Sequence, residues 1–400
     1  MVPTELSTEQ SAALDDIGRW LKTDEPVYRL FGAAGVGKTS IAWHIAQNMK
    51  VAFAAPTGKA AKVLRDKGCP AGTIHSLIYR PKEKSRMRLL DLQGRRDERL
   101  AESPDTNVAD LDKQIAEEKR NLARPAFSLN LDSDIRNAEL AIIDEVSMVD
   151  ERVAEDLLSF GVKLLVLGDP YQLPPVAAKG SFISGQPNFM LTQIHRQAAE
   201  SPIIRLATTI REGGKPMVDG KMVISWGSLT PEAALSFDQI IVGKNKTRKA
   251  TNDRVRSLLG RTDPLPVPGD KVICLRNNRE LGLYNGSIWY VKDRFGKDDI
   301  FDLTVAAEMS ATEREEECVP VHRRHFLDKD AEPIQMTFWD RREAEEFDYA
   351  YAITCHKSQG SQFGSVLVFD ESQLFREHAN RWLYTAVTRA EHTLTLVVRR

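Results

Sequence analysis

The sequence predicts an α/β protein made of two parallel-sheet lobes, and three observations predict it. First, an apolar run at residues 27–31 leads into Gly32-Ala33-Ala34-Gly35-Val36-Gly37-Lys38-Thr39, and Ile41, Ala42, Ile45, Ala46 and Met49 then recur at helical spacing. Strand, glycine loop and helix in that order are the context a phosphate-binding P-loop, G-x-x-x-x-G-K-[ST], requires. Second, apolar runs at 140–143 and 162–167 end in polar loops, Asp144-Glu145 and Gly168-Asp169-Pro170-Tyr171-Gln172-Leu173-Pro174-Pro175. Buried strands that end this way build the ligand-binding edge of α/β sheets. Third, runs at 239–242, 349–354, 366–369 and 394–398 repeat the pattern without a second P-loop. A nucleotide held between two lobes is the arrangement this implies.

Taken in order, Ser7-Thr8-Glu9-Gln10 precedes an amphipathic stretch with Leu14, Ile17 and Leu21. Ser7 and Gln10 fit a capping box, and the Gln10 amide fits an adenine edge equally well. The segment Gly32, Ala33, Ala34, Gly35, Val36, Gly37, Lys38, Thr39 and Ser40 is the expected phosphate cradle, its N–H groups gathered at a helix N-terminus. Lys38 would carry charge to the β- and γ-phosphates and Thr39 a hydroxyl to Mg²⁺. A strand that delivers two carboxylates at its end suits the same chemistry. Asp144 would share the metal, and Glu145 would position and deprotonate the attacking water. Gln172 is placed to reach the γ-phosphate. The second half offers the loops His356-Lys357-Ser358-Gln359-Gly360-Ser361 and Tyr384-Thr385-Ala386-Val387-Thr388-Arg389-Ala390. Catalysis across a cleft needs charge from its far side. Arg196 and Arg389 are the candidates, because a guanidinium is planar and permanently charged.

Two stretches break the strand–helix alternation. Residues 81–126 are dense in charge, with ten Lys or Arg against ten Asp or Glu in 81–120. Val108, Leu111, Ile115 and Leu122 recur there at helical spacing, so an exposed helical insert is expected. It holds no Phe, Tyr or Trp. Residues 263–342 open with Pro264, Pro266, Pro268 and Gly269, which mark a boundary. Asn285-Gly286 then sits between apolar residues as a hairpin turn signal. A small antiparallel barrel is expected. Glu313, Glu315, Glu316 and Glu317 read as a solvated acidic loop.

Composition bounds the remaining choices. Four hundred residues exceed one ordinary core. No run of eighteen apolar residues is present, so no membrane span is expected. Met1-Val2-Pro3-Thr4-Glu5 lacks the basic and apolar regions of a secretory signal, and four scattered cysteines suit a reducing compartment. A cytoplasmic location, in a bacterial or phage-infected cell, is the expectation. A net charge of −2 excludes an all-over basic coat but leaves room for a local basic groove.

Taken together, these segments resemble a superfamily 1 DNA helicase, in the RecD-like branch that includes the phage Dda helicase. Nine segments carry the resemblance in order, from Leu6-Ser7-Thr8-Glu9-Gln10 and the P-loop through 55–61, 73–75, 143–145, 168–175, 195–196 and 352–360 to 384–390. The resemblance implies two RecA-like P-loop parallel-sheet domains, with the charged insert in the first and a small SH3-like β-barrel insert in the second. The expected domains are a first RecA-like unit at 1–80 and 127–190, interrupted by a pin-bearing subdomain at 81–126. A second unit follows at 191–262 and 346–400, interrupted by the barrel at 263–345. The resemblance implies that Gln10 reads adenine, that Lys38, Thr39, Asp144, Glu145 and Gln172 form the hydrolysis site, and that Arg196 and Arg389 complete it from the far side. Pro56, Thr57, Lys59, Thr73, His75, His356, Lys357 and Ser361 match segments that touch single-stranded DNA or couple it to ATP. An ATP- and Mg²⁺-dependent monomer is implied, moving 5′ to 3′ on single strands, acting at single-strand/duplex junctions, and meeting replication or repair partners. The missing aromatic wedge puts duplex splitting in question and keeps open a translocase or protein remodeller. A nucleotide-gated DNA-binding subunit of a repair complex is a further alternative, which an intact Glu145, Arg196 and Arg389 disfavour.

Overall fold

In the first lobe, strands of almost unbroken apolar sequence lie side by side and are covered on both faces. The computed structural model describes residues 6–81, 87–103, 106–123, 127–174, 181–193, 201–278, 280–307, 316–327 and 343–398. The chain begins α1 (Thr8–Trp20), β1 (Val27–Gly32), α2 (Lys38–Ala46), β2 (Val51–Ala55), α3 (Gly58–Asp66), β3 (Ala71–Thr73) and α4 (Ile74–Ile78). An insert of β4 (Tyr79–Pro81), α5 (Met87–Glu102), α6 (Ala109–Ala123) and β5 (Phe127–Leu129) follows. The lobe resumes with β6 (Leu140–Ile143), α7 (Glu151–Leu158), β7 (Leu164–Gly168) and β8 (Phe189–Leu191). Its sheet order is β3-β2-β6-β7-β1-β8, and every pair is parallel. Alternate side chains feed opposite faces: Leu165 and Leu167 pack with Ile41 and Leu64, while Leu164 and Val166 pack with Leu157 and Phe182.

The second lobe comprises α8 (Pro202–Arg211), β9 (Val223–Ser225), β10 (Gln239–Val242) and α9 (Asn245–Leu258). Its insert supplies β11 (Lys271–Cys274), β12 (Ile288–Phe295), β13 (Ile300–Ala307), β14 (Glu316–His322) and β15 (Phe347–Tyr349). It closes with β16 (Ala352–Thr354), β17 (Phe363–Phe369), α10 (Ala379–Val387) and β18 (Ala390–Val398). The sheet order is β16-β10-β17-β18-β9, again wholly parallel. Its core of Ile210, Ile241, Val368, Trp382 and Leu396 also takes in Leu173, which arrives from the first lobe and is 2% exposed. The lobes are therefore joined through packed apolar side chains as well as by chain connection.

Both inserts differ in detail from the sequence expectation. In the first, α5 and α6 pack through Leu89, Leu92, Leu111 and Ile115, while their charged faces remain exposed. The pair is carried on the two-stranded antiparallel stalk β4–β5, with Tyr79 opposite Leu129 and Pro81 opposite Phe127. The second is an antiparallel sheet, β14-β13-β12-β11-β15, curled until Val321 of β14 bridges Glu345. The run at 349–354 is two strands rather than one. β15 pairs with β11 of the insert and β16 with β10 of the lobe, so the domain boundary expected at 345/346 falls beyond Tyr349. One apolar run serves two sheets because the chain crosses between them at Ala350 and Tyr351. Asn285-Gly286 is likewise not the tip of a two-residue hairpin. It closes the return limb of a loop at 275–287 between paired β11 and β12, with the Gly286 N–H on the Cys274 carbonyl at 2.8 Å. The acidic stretch lies partly outside the described residues, and Glu316 and Glu317 begin β14. Among the described residues, no helix is long and apolar enough to cross a membrane.

Candidate nucleotide and strand-binding site

Three strand ends of the first sheet meet where α2 begins. The loop after β1 turns through Gly35 and Gly37, whose φ angles of 84° and 85° favour glycine. Gly32 is required by close approach, since a Cβ there would lie 2.7 Å from Val36 Cγ2 and 2.8 Å from the Leu191 carbonyl oxygen. Thr39 and Ser40 lie in the first turn of α2. Lys38 Nζ donates to the carbonyls of Gly32 at 2.6 Å and Ala33 at 3.0 Å, so its charge is folded into the loop it would serve. Gln10 completes the capping box, with Ser7 N–H donating to its Oε1 at 2.9 Å, and it also donates from Nε2 to the Val36 carbonyl at 3.2 Å. One side chain thus starts α1 and braces the phosphate loop.

β6 delivers Asp144 and Glu145 beside this loop. Glu145 has φ 52° and ψ 41°, a left-handed conformation for a residue with a Cβ, and its N–H donates to Asp144 Oδ1 at 2.8 Å. Burial pushes both carboxyls above their ordinary values. For Glu145 the neighbouring Asp144 charge adds to this, while Arg389 and Lys38 oppose it. A pair of crowded acids beside a threonine hydroxyl is a donor set fit for a divalent cation. β7 delivers Asp169 and Gln172, both buried. Gln172 Oε1 has no hydrogen-bond partner among the described residues, a buried acceptor left for something outside the described chain.

The second lobe closes on this edge at several points. Arg389, 4% exposed, is fixed within its own lobe: Nε donates to the Thr385 carbonyl at 3.0 Å and a terminal nitrogen to the Ser361 carbonyl at 3.0 Å. Its charge is felt at Glu145, across the cleft. Tyr384 crosses physically. Its hydroxyl donates to Asp169 Oδ2 at 2.7 Å and accepts from the Ala34 N–H of the phosphate loop at 3.3 Å. Burial first, and the Asp169 charge second, hold that phenol well above its usual range. Leu173 is gripped on both sides of its backbone, its N–H by Thr385 Oγ1 and its carbonyl by Gln359 Nε2, each at 2.9 Å. The loop that carries Gln172 is therefore held by the second lobe.

The remaining site residues from the sequence fall into three groups. Thr57 and Thr73 are the N-caps of α3 and α4, accepting from Ala60 N–H at 3.2 Å and Ser76 N–H at 3.1 Å, with Pro56 at the adjoining strand end. His75 lies beside Tyr79 and Phe127 at ring separations of 5.1 and 5.7 Å, and partial desolvation holds it below its ordinary value. Across the seam, Lys59 Nζ stands 4.8 Å over the Phe363 ring. His356 packs near Phe375 at 5.7 Å, Lys357 donates to Asn285 Oδ1 at 2.9 Å, and Ser361 is buried under Arg389. Arg196 lies outside the described residues. The chain leading to it is pinned by Glu9, whose carboxylate accepts from Thr192 and Gln193 N–H groups at 2.8–3.0 Å. Burial alone would raise the Glu9 pKa, yet those bonds hold it below its ordinary value.

Sequence reading missed Tyr384, Thr385, Gln359 and Glu9 as site residues. Each stood in a quoted motif, but nothing in a linear pattern says which hydroxyl or amide reaches the opposite lobe.

Fold and site together define a two-lobed P-loop nucleotide-binding protein with a pair of crowded carboxyls on one lobe and a buried arginine on the other. Residues 5–223 match the AAA domain family and residues 349–397 the UvrD-like helicase C-terminal domain. The ATP-dependent RecD2 DNA helicase of Deinococcus radiodurans is 26% identical over 96% of this chain and 48% of its own length. The chain thus spans about half the length of that curated relative. Pif1 helicase from Candida albicans superposes with a TM-score of 0.53 at 20% identity, over 99% of this chain and 94% of that one. Bacteroides Pif1 bound to ssDNA superposes at 0.50 and 18% identity, over 98% and 92%. The chain belongs to the AAA domain family, and it is similar to superfamily 1 helicases of the RecD/Pif1 type.

Proposed function

We propose that this chain is an ATP-driven motor that walks along single-stranded DNA and separates duplex at single-strand junctions. The observation that carries the reading is the seam itself. Across it the Arg389 charge lowers the Glu145 pKa that burial raises, Tyr384 touches the phosphate loop, and Gln359 ties the His356–Ser361 loop to the backbone beside Gln172. A nucleotide-dependent change at Gln172 would pass to a strand-gripping loop through one hydrogen bond.

The phosphate loop and Lys38 bind the triphosphate, and Gln10 orients its adenine. Thr39 and Asp144 would hold Mg²⁺, which when bound neutralises charge developing on the transferred phosphoryl group. Glu145 accepts the proton of the attacking water, a task its raised pKa suits. Arg389 and Arg196 stabilise charge from the far lobe, and Gln172 marks the γ-phosphate. Pro56, Thr57, Lys59, Thr73, His75, His356, Lys357 and Ser361 line or brace the strand path along both sheets' carboxyl edges. The curled second insert fits the SH3-like subdomain, and the α5–α6 insert takes the place of the pin. A 5′-to-3′ monomer working in the cytoplasm with replication or repair proteins is the full reading.

ATP hydrolysis measured with and without single-stranded DNA tests the motor. Stimulated turnover that Lys38→Ala abolishes supports it, and turnover indifferent to DNA refutes it. Duplexes tailed at one end or the other then report polarity. The absence of aromatic residues in 81–126 favours a second reading, a translocase that displaces proteins without opening duplex. A forked duplex run beside a protein-blocked single strand separates the two.

A further inference from the structure

A cavity of about 160 Å³ lies where the second insert meets the first lobe, lined by Gly58, Arg65, Thr73, Ser76, Asn277 and Tyr284. Its walls come from α3 and α4 on one side and the 275–287 loop on the other. It is smaller than the roughly 300–1,000 Å³ that bury a drug-sized ligand, so it takes one small unit rather than a whole nucleotide cofactor.

Arg65 is the one charged side chain in that lining, and no carboxylate pairs with it among the described residues. One terminal nitrogen donates to the Ala71 carbonyl at 2.7 Å, and the guanidinium lies over the Tyr284 ring at 5.3 Å. An arginine set against an aromatic ring, with donors to spare and no paired carboxylate among the described residues, suits an oxyanion. Asn277 accepts the Asn285 N–H on its Oδ1 at 2.8 Å, which leaves its NH₂ to donate. The Tyr284 ring is seated by design of the opposing lobe: a Cβ on Gly58 would lie 2.5 Å from its Cδ1. The same turn holds Lys357 through Asn285 Oδ1. The cavity thus adjoins Thr57, Thr73 and Lys357, three residues of the proposed strand path.

We propose that this cavity is a subsite for one backbone phosphodiester of a single strand, bound by the Arg65 guanidinium, with Tyr284 supporting that guanidinium and Asn277 donating from the other lobe. The inference rests on the strand-binding reading above and deepens it. Neither Arg65, Asn277 nor Tyr284 stood among the site residues read from the sequence. Because the walls belong to different lobes, the subsite is complete only while the insert loop rests on α3.

The test is equilibrium binding of a fluorescent oligothymidylate to the full chain across a salt series. Each phosphate contact to a single strand contributes about 0.7 to the slope of log affinity against log salt. Arg65→Gln is expected to lower the slope by about 0.7 and weaken binding about tenfold at low salt. Arg65→Lys should keep the slope, since the charge remains. Tyr284→Ala should weaken binding less than Arg65→Gln, and Gly58→Ala should act like Tyr284→Ala by forcing the ring away. Melting temperatures identify any variant that is misfolded, and the Arg65→Lys comparison then stands alone against wild type. An unchanged slope in Arg65→Gln overturns the inference. Absence of oligothymidylate binding by the wild type would instead sink the motor reading.

Discussion

Glu145 occupies a left-handed backbone position that costs a residue with a Cβ on the order of 1–3 kcal/mol. It also carries a carboxyl that burial and Asp144 press toward the protonated form. Its folded pKa is raised, so whatever stability it contributes is fully present below the ordinary value of 4.5 and is lost as pH climbs through the folded value. Glu145→Gln is therefore expected to melt a few degrees above wild type at neutral pH, an advantage that fades as pH falls toward 4.5. The same change should cut DNA-stimulated ATP turnover by about 10²–10⁴, the usual worth of a positioned base. Equal melting of the two proteins at neutral pH would contradict the burial argument. Tyr384 makes the complementary case. Tyr384→Phe keeps the ring but leaves Asp169 and the Ala34 N–H without their shared partner. Lost hydrogen bonds to a buried carboxylate cost about 1.5–3 kcal/mol, so a lower melting point and weaker DNA stimulation of ATPase are expected together.

The elements that could be read in advance are those whose signal is local. β6 and β7 are continuous apolar runs, β1 is interrupted only by Arg29 and β10 is opened by Gln239, and the loop after β1 advertises itself by glycines at fixed spacing. Of the charged insert's helices, α6 follows from the spacing of Leu111 and Ile115, both buried in the insert's own small core, while α5 lies outside that pattern. The three-residue strands β8, β9 and β15 are too short to leave a pattern, and their sheet is chosen by partners far along the chain. Lys59 shows the same limit at the site. Its segment reads as strand-contacting, while its position 4.8 Å over Phe363 depends on a neighbour some three hundred residues away in sequence. The first insert yields its own expectation. Replacing residues 82–126 by a short turn should leave basal and DNA-stimulated ATP turnover in place and remove strand separation, checked on a forked duplex. Loss of ATPase as well would mean that α5 and α6 serve the motor rather than the fork.

At the scale of the whole molecule, the two lobes are tied by polar contacts around Asp169–Leu173 and by the burial of Leu173 among Ile210, Ile241 and Trp382. Leu173→Ala removes the fully buried apolar side chain that the phosphate-bearing lobe lends, beside the partly buried Tyr171, to the other's core. A loss of about 2–5 kcal/mol is expected, read by chemical denaturation, with DNA coupling of ATPase impaired in the protein that remains folded. A variant as stable as wild type would show that the lobes are joined by their polar contacts alone. The opposite economy governs the stalk of the first insert. Among the described residues, Tyr79–Pro81 and Phe127–Leu129 form the stalk that carries α5 and α6, and the two strands sit in antiparallel register. A segment mounted on so narrow a stalk can be lengthened, shortened or exchanged over evolutionary time without disturbing the two-lobed core below.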